Sequence, residues 1–164
     1  MTVTTQRGQV LRDPHGMRLE FTRTYREPIE EVWSAITEPD RTARWFGTWT
    51  GDPRSGSVEL VMTEDEGATP QTVTILECAA PTSLVVDLPS PDGIWRLSVS
   101  LRADDGVTTL VFVHRMAEPY DATGIGPGWH YYLDRMEAVV AETDVPDQFD
   151  DYFPPLSDAY GLPG

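Results

Sequence analysis

The side chains in this 164-residue chain best suited to metal binding or nucleophilic chemistry are three histidines (His15, His114, His130) and one cysteine, Cys78, all far apart. None of them has the close spacing of a zinc-ligand set, so no metal is expected. Cys78 has no base beside it in sequence and reads as a small buried hydrophobe. His130 and Asp134 stand at i and i+4, a pair that supports a helix at its solvated face. His114 ends a run of strand-like residues beside Arg115 and is the polar side chain best placed to reach a cavity mouth. Glu64-Asp65-Glu66 falls in a turn, where a solvated charge run is the simpler reading. The run Gly124-Ile125-Gly126-Pro127-Gly128 invites comparison with phosphate-cradling loops, but it lacks their Lys and Ser/Thr, and Pro127 removes an amide donor. There is no Ser-centred nucleophile elbow. The paired carboxylates lie in turns where nothing would raise a pKa. No catalytic residue and no cofactor is therefore assigned from sequence.

Positioning falls chiefly to one long amphipathic helix over residues 124–143. Trp129, Leu133, Met136 and Val140 recur at i, i+4, i+7 and i+11, and Tyr132 and Val139 widen that stripe. His130, Asp134 and Glu137 share the opposite face, which is expected to meet water. The glycines and Pro127 are expected just ahead of the helix. Earlier segments read as a hairpin (9–12 and 17–26, turning at Asp13-Pro14-His15-Gly16) and then a short helix over 29–37. A second short helix starts at Pro39 and ends in Arg44-Trp45-Phe46-Gly47. Trp33, Ile36, Trp45 and Phe46 are expected to pack together at one end of a sheet. Residues 47–57, with Gly47, Gly51, Pro53 and Gly56, read as a loop. Beyond it, strands at 58–63, 72–78, 84–88, 95–102 and 107–114 are separated by turn residues. In the fourth of these, Trp95, Leu97, Val99 and Leu101 alternate with polar neighbours, and Arg96 points outward. This pattern predicts an antiparallel meander.

Composition narrows the partners. Twelve Lys and Arg against 27 Asp and Glu give a net charge of -15, which repels phosphate backbones and anionic lipid, so nucleic acid and membrane surfaces are not expected partners. A single cysteine precludes an internal disulfide and suits a reducing compartment. With no basic-then-apolar leader and no apolar run of spanning length, the reading is a soluble, cytoplasmic protein. Length and apolar content suit one domain over residues 1–164, its core about 7–144. The acidic tail, 145–164, carries Phe149, Tyr152, Phe153 and Tyr160, and reads either as frayed or as packed on an apolar surface of the same chain or a neighbour. Monomer and homodimer both stay open.

The segment Tyr25-Arg26-Glu27-Pro28-Ile29-Glu30-Glu31-Val32-Trp33-Ser34-Ala35-Ile36-Thr37-Glu38-Pro39, then Arg44-Trp45-Phe46, then Gly128-Trp129-His130-Tyr131-Tyr132-Leu133-Asp134-Arg135-Met136 resembles the START-like (SRPBCC) superfamily. Within it, the likeness is to the branch of activator-of-heat-shock-ATPase homologues, over roughly residues 15–143. The resemblance implies an α+β helix-grip fold, a curved antiparallel sheet of about six or seven strands wrapped around the C-terminal helix, with an apolar cavity between them. Apolar-wall candidates are Trp45, Trp95, Phe112, Trp129, Tyr132, Leu133 and Met136, with His114 as the polar candidate. The expected function is binding of a small hydrophobic or aromatic molecule. The activator branch implies a chaperone as the alternative partner. A third reading is a cyclase or dehydratase that uses the cavity, with His114 or a tyrosine supplying acid–base chemistry.

Overall fold

The structure is a computed structural model and describes residues 8–14, 16–62, 69–90, 93–116, 125–153, 155–156 and 160. The chain opens with a hairpin, β1 (Gln9–Asp13) and β2 (Gly16–Tyr25), followed by two short helices, α1 (Ile29–Thr37) and α2 (Pro39–Thr42). Six strands come next: β3 (Gly47–Thr50), β4 (Ser57–Met62), β5 (Gln71–Ala79), β6 (Ser83–Ser90), β7 (Gly93–Asp104) and β8 (Val107–Met116). The long helix α3 (Ile125–Ala141) follows, and a 3-10 turn at Phe149–Asp151 lies in the tail. All eight strands form one antiparallel sheet in the order β1-β2-β8-β7-β6-β5-β4-β3. This is the expected helix-grip architecture, with an edge strand more than the pattern predicted.

Alternation decides which face of the sheet meets the helix. Leu19 and Phe21 on β2, Leu97 and Leu101 on β7, and Leu110 and Phe112 on β8 are all buried in one core with Trp129, Leu133 and Met136 of α3. A register shift between Ile75 and Glu77 on β5 places an extra residue against β6, a bulge that sharpens strand curvature. Trp33, Ile36 and Phe46 do pack against the core beside Trp45, whose indole N–H donates to the Ala35 carbonyl at 2.7 Å.

Four expectations are corrected. Residues 47–57 are not all loop, since β3 pairs with β4 from Gly47↔Met62 to Thr50↔Glu59. Gly47 is there because a Cβ would sit 2.6 Å from the Val61 carbonyl oxygen, so the glycine marks a close strand approach and not a break. Gly126, Pro127 and Gly128 lie inside the first turn of α3 rather than ahead of it. Pro127 is tolerated because first-turn amides have no helical acceptor. Cys78 is exposed instead of buried, near the open end of β5.

The fourth correction is the largest. The α3 face that carries His130 and Asp134 does not meet water. Both residues are buried, as are Tyr131 and Arg135, because the tail lies over them. Tyr152, Leu156 and Tyr160 are buried in turn, and the Tyr152 ring stands 5.6 Å from that of His130. The tail is thus packed on its own chain, one of the two readings of its composition. No helix among the described residues is long and apolar enough to cross a membrane.

Candidate ligand cavity

Between the sheet and α3 lies an apolar cavity of about 220 Å³. Its sheet wall is built from Leu60, Val73, Val86, Leu88, Leu97, Val99, Leu110 and Phe112. The helical side supplies Ile36, Trp45, Phe46, Trp129, Leu133 and Met136. Pro53 and Cys78 also belong to the lining and are themselves exposed, so they mark the side open to solvent. The void exists because one helix cannot fill a curved sheet with side chains of this size, whereas interiors otherwise pack at crystal density.

Five of the eight expected site residues line this space: Trp45, Phe112, Trp129, Leu133 and Met136. Tyr132 does not. It is half-buried and packs against the core, with its ring 5.2 Å from Phe46 and 6.0 Å from Trp129. Trp95 and His114 are not in the wall either, but they adjoin one end of it. In the cross-strand register Trp95 faces Leu88, and His114 faces Leu97, both of them wall residues. Sequence reasoning missed Phe46, Ile36 and the valines of β5–β7. The strand alternation contained the signal for Val73, Val86 and Val99. The inward turn of Phe46 follows from the geometry of the α2–β3 junction, which no local pattern encodes.

His114 is fully buried on β8 and is held by one defined contact. The indole Nε1–H of Trp129 donates to its Nδ1 at 3.0 Å. An indole N–H can only donate, so Nδ1 is the acceptor and the neutral ring carries its proton on Nε2. Burial pushes the imidazole down to about pH 4, so the ring is neutral under ordinary conditions. A neutral His114 with its free nitrogen already used as an acceptor is a hydrogen-bond donor, with no lone pair left to serve as a general base. Its Nε2, like the Nε1 of Trp95, is buried without a hydrogen-bond partner. The two rings lie 4.8 Å apart.

The other face of α3 carries a separate polar cluster under the tail. Arg23 of β2, fully buried, donates through Nη1 to Asp134 Oδ1 at 2.9 Å, and the Tyr152 hydroxyl donates to Asp134 Oδ2 at 2.7 Å. Burial and this carboxylate hold the Tyr152 hydroxyl above its usual range, and burial raises Tyr25 and Glu137 likewise. The Tyr160 hydroxyl bonds both His130 Nδ1, at 2.9 Å, and the Gly8 amide, at 3.0 Å. Arg135 donates to the carbonyls of Trp45, Arg44 and Pro146 and to the Tyr131 hydroxyl, tying helix, α2–β3 junction and tail together. These contacts join three segments, the arrangement of a structural clamp, although Arg23 Nε and Nη2 and the nearby Tyr25 hydroxyl are buried without a hydrogen-bond partner.

A curved antiparallel sheet gripping a C-terminal helix over an apolar cavity defines the START-like helix-grip class. Within it, the family model described as activator of Hsp90 ATPase homolog 1-like protein matches residues 26–141, and the chain belongs to that family. No curated protein matches the chain. Among solved structures, CalU16 from Micromonospora echinospora superposes with a TM-score of 0.72 at 22% identity, covering 93% of this chain and 92% of that one. A conserved protein of unknown function from Enterococcus faecalis, EF2215, gives 0.71 at 18% identity over 93% and 87% of the two chains. DynU16, described as a putative protein in the dynemicin biosynthetic locus, gives 0.66 at 20% identity, over 79% of this chain but only 48% of its own. At these identities the structural likeness extends to the fold.

Proposed function

We propose that this protein binds a small apolar molecule, aromatic and about two fused rings in size, between the sheet and α3. The observation that carries the reading is the cavity itself, about 220 Å³ with an almost wholly apolar wall. A dry engineered cavity of about 150 Å³ holds one benzene ring, so by proportion this space suits a bicyclic compound. The wall is rich in rings: Phe112 and Trp129 lie 4.6 Å apart, and Phe46 stacks on Trp129 at 5.6 Å. Such surfaces favour a flat aromatic guest. A biosynthetic setting for DynU16, as its description gives it, agrees with a small-molecule ligand.

Naphthalene is a direct probe. It is expected to raise the melting temperature of the wild type and to leave Val99→Trp unmoved, because an indole grown from Val99 occupies the space. A wild type that shows no shift in saturating naphthalene would reject the reading.

One observation favours a second reading, that the protein docks on a chaperone. Phe149 and Phe153 stack at 6.1 Å on the surface of the tail and are partly exposed beside Asp150 and Asp151. Together with the family's description this supports a protein contact. Co-sedimentation with purified Hsp90 that Phe149→Ser with Phe153→Ser abolishes would support it, and absence of any complex would remove it.

A further inference from the structure

We propose that the N–H groups of Trp95 and His114 form an acceptor-binding subsite at the end of the cavity, so that the ligand is an uncharged aromatic carrying a carbonyl oxygen. The inference rests on the cavity reading above and deepens it.

The placement follows from register. The cross-strand row Val86–Leu97–His114 runs over β6, β7 and β8, and its first two members are cavity wall. The next row pairs Leu88, also wall, with Trp95. His114 and Trp95 therefore continue the same concave face beyond the apolar lining, with ring centroids 4.8 Å apart. Both offer a buried donor without a partner, His114 Nε2 and Trp95 Nε1. The proton on Nε2 is fixed there by the Trp129 indole, which occupies Nδ1. A buried donor left unpaired is destabilising, and most buried polar groups in native structures have a partner. Here two such donors sit on adjoining rings next to a cavity that otherwise has almost no polar surface.

The chemistry of the acceptor is constrained. Among the described residues no cation contacts these two rings, whose ring neighbours are Trp129 and each other. Burying a carboxylate against two neutral N–H groups, in a chain of net charge -15, carries a large desolvation cost that nothing nearby offsets. A ketone or quinone oxygen accepts two hydrogen bonds without that cost. The flat remainder of such a molecule would lie on Phe112 and Trp129.

The test uses three probes of one shape, titrated calorimetrically: 2-acetylnaphthalene, 2-ethylnaphthalene and 2-naphthoate. The ketone is expected to bind about tenfold more tightly than the hydrocarbon, the increment of about one net hydrogen bond, and the carboxylate more weakly than the ketone. Trp95→Phe keeps the ring and deletes the donor, so it should lower ketone affinity to nearly that of the hydrocarbon while leaving hydrocarbon affinity within about twofold. In the wild type the bound ketone's C=O stretch should lie at lower wavenumber than in cyclohexane, a readout that stands if Trp95→Phe does not fold. Equal binding of ketone and hydrocarbon, with an unshifted stretch, would overturn the subsite and leave the cavity reading intact. Tighter binding of naphthoate would overturn the uncharged carbonyl. Failure of all three probes to bind would remove the cavity reading and the subsite with it.

Discussion

His114 and Trp129 act as a pair whose consequences reach beyond the cavity. The imidazole titrates near 6.5 in an unfolded chain and is pushed down to about pH 4 by burial in the folded one. Between those values the unfolded state holds a proton that the folded state does not, so stability falls as pH falls through that window. One proton is worth about 1.4 kcal/mol per pH unit. His114→Gln keeps an acceptor for the Trp129 indole and removes the titration. Urea unfolding should therefore show the wild type losing ground to His114→Gln by up to that slope from about pH 6.5 to pH 4, and parallel curves for the two proteins would contradict it. Trp129 itself is buried at 5% exposure and contacts Phe46, Phe112 and His114. Trp129→Ala is expected to cost about 3–5 kcal/mol, from ring loss and cavity growth. A loss below about 1 kcal/mol would show that the indole is not a core element.

At the scale of elements, α3 is held from two sides, and this is where local pattern reading was least complete. The stripe Trp129, Leu133, Met136, Val140 was legible because the sheet it meets is apolar. The opposite face differs from that expectation because His130 and Asp134 look like solvent-facing residues to any periodicity argument. Their partners are Arg23, 111 residues before Asp134, and Tyr152, 18 after it, a placement that only the folded chain reveals. Hairpin and α1 boundaries were legible for the opposite reason: Pro28, Gly16 and the strand alternation are local signals. β3 was hidden by Gly47, where a strand-breaking residue serves a close backbone approach. The tail's grip can be tested at Gly126. A Cβ there would fall 2.2 Å from Tyr160 Cγ and 2.5 Å from its Cβ, near the root of that side chain where it cannot swing aside. Gly126→Ala should cost about 1–3 kcal/mol as overpacking does, and limited proteolysis should cut the tail of the variant faster than that of the wild type. Unchanged cleavage would mean that Tyr160 does not seat the tail.

Over the whole molecule, the order β3 to β8 is a meander of neighbouring pairs, while β1 and β2 close onto β8 and the tail closes onto α3. The cavity sits where these two kinds of contact meet: β4 to β8 make its curved side, and α3, fixed by the late tail contacts, makes its lid. The candidate site was readable in part for this reason. Helix-stripe residues such as Leu133 and Met136 can be named from spacing alone, whereas His114 and Trp95 reach their roles through cross-strand register.

The bond from the Gly8 amide to the Tyr160 hydroxyl spans 152 positions of the chain. During synthesis, residue 8 waits for a partner that is added 152 positions later. Sheet pairing can proceed meanwhile, but α3 keeps one of its faces uncovered until residues 145–160 are outside the exit tunnel. A nascent chain stalled before residue 145 would therefore present to solvent histidine, aspartate and tyrosine side chains that the folded chain buries.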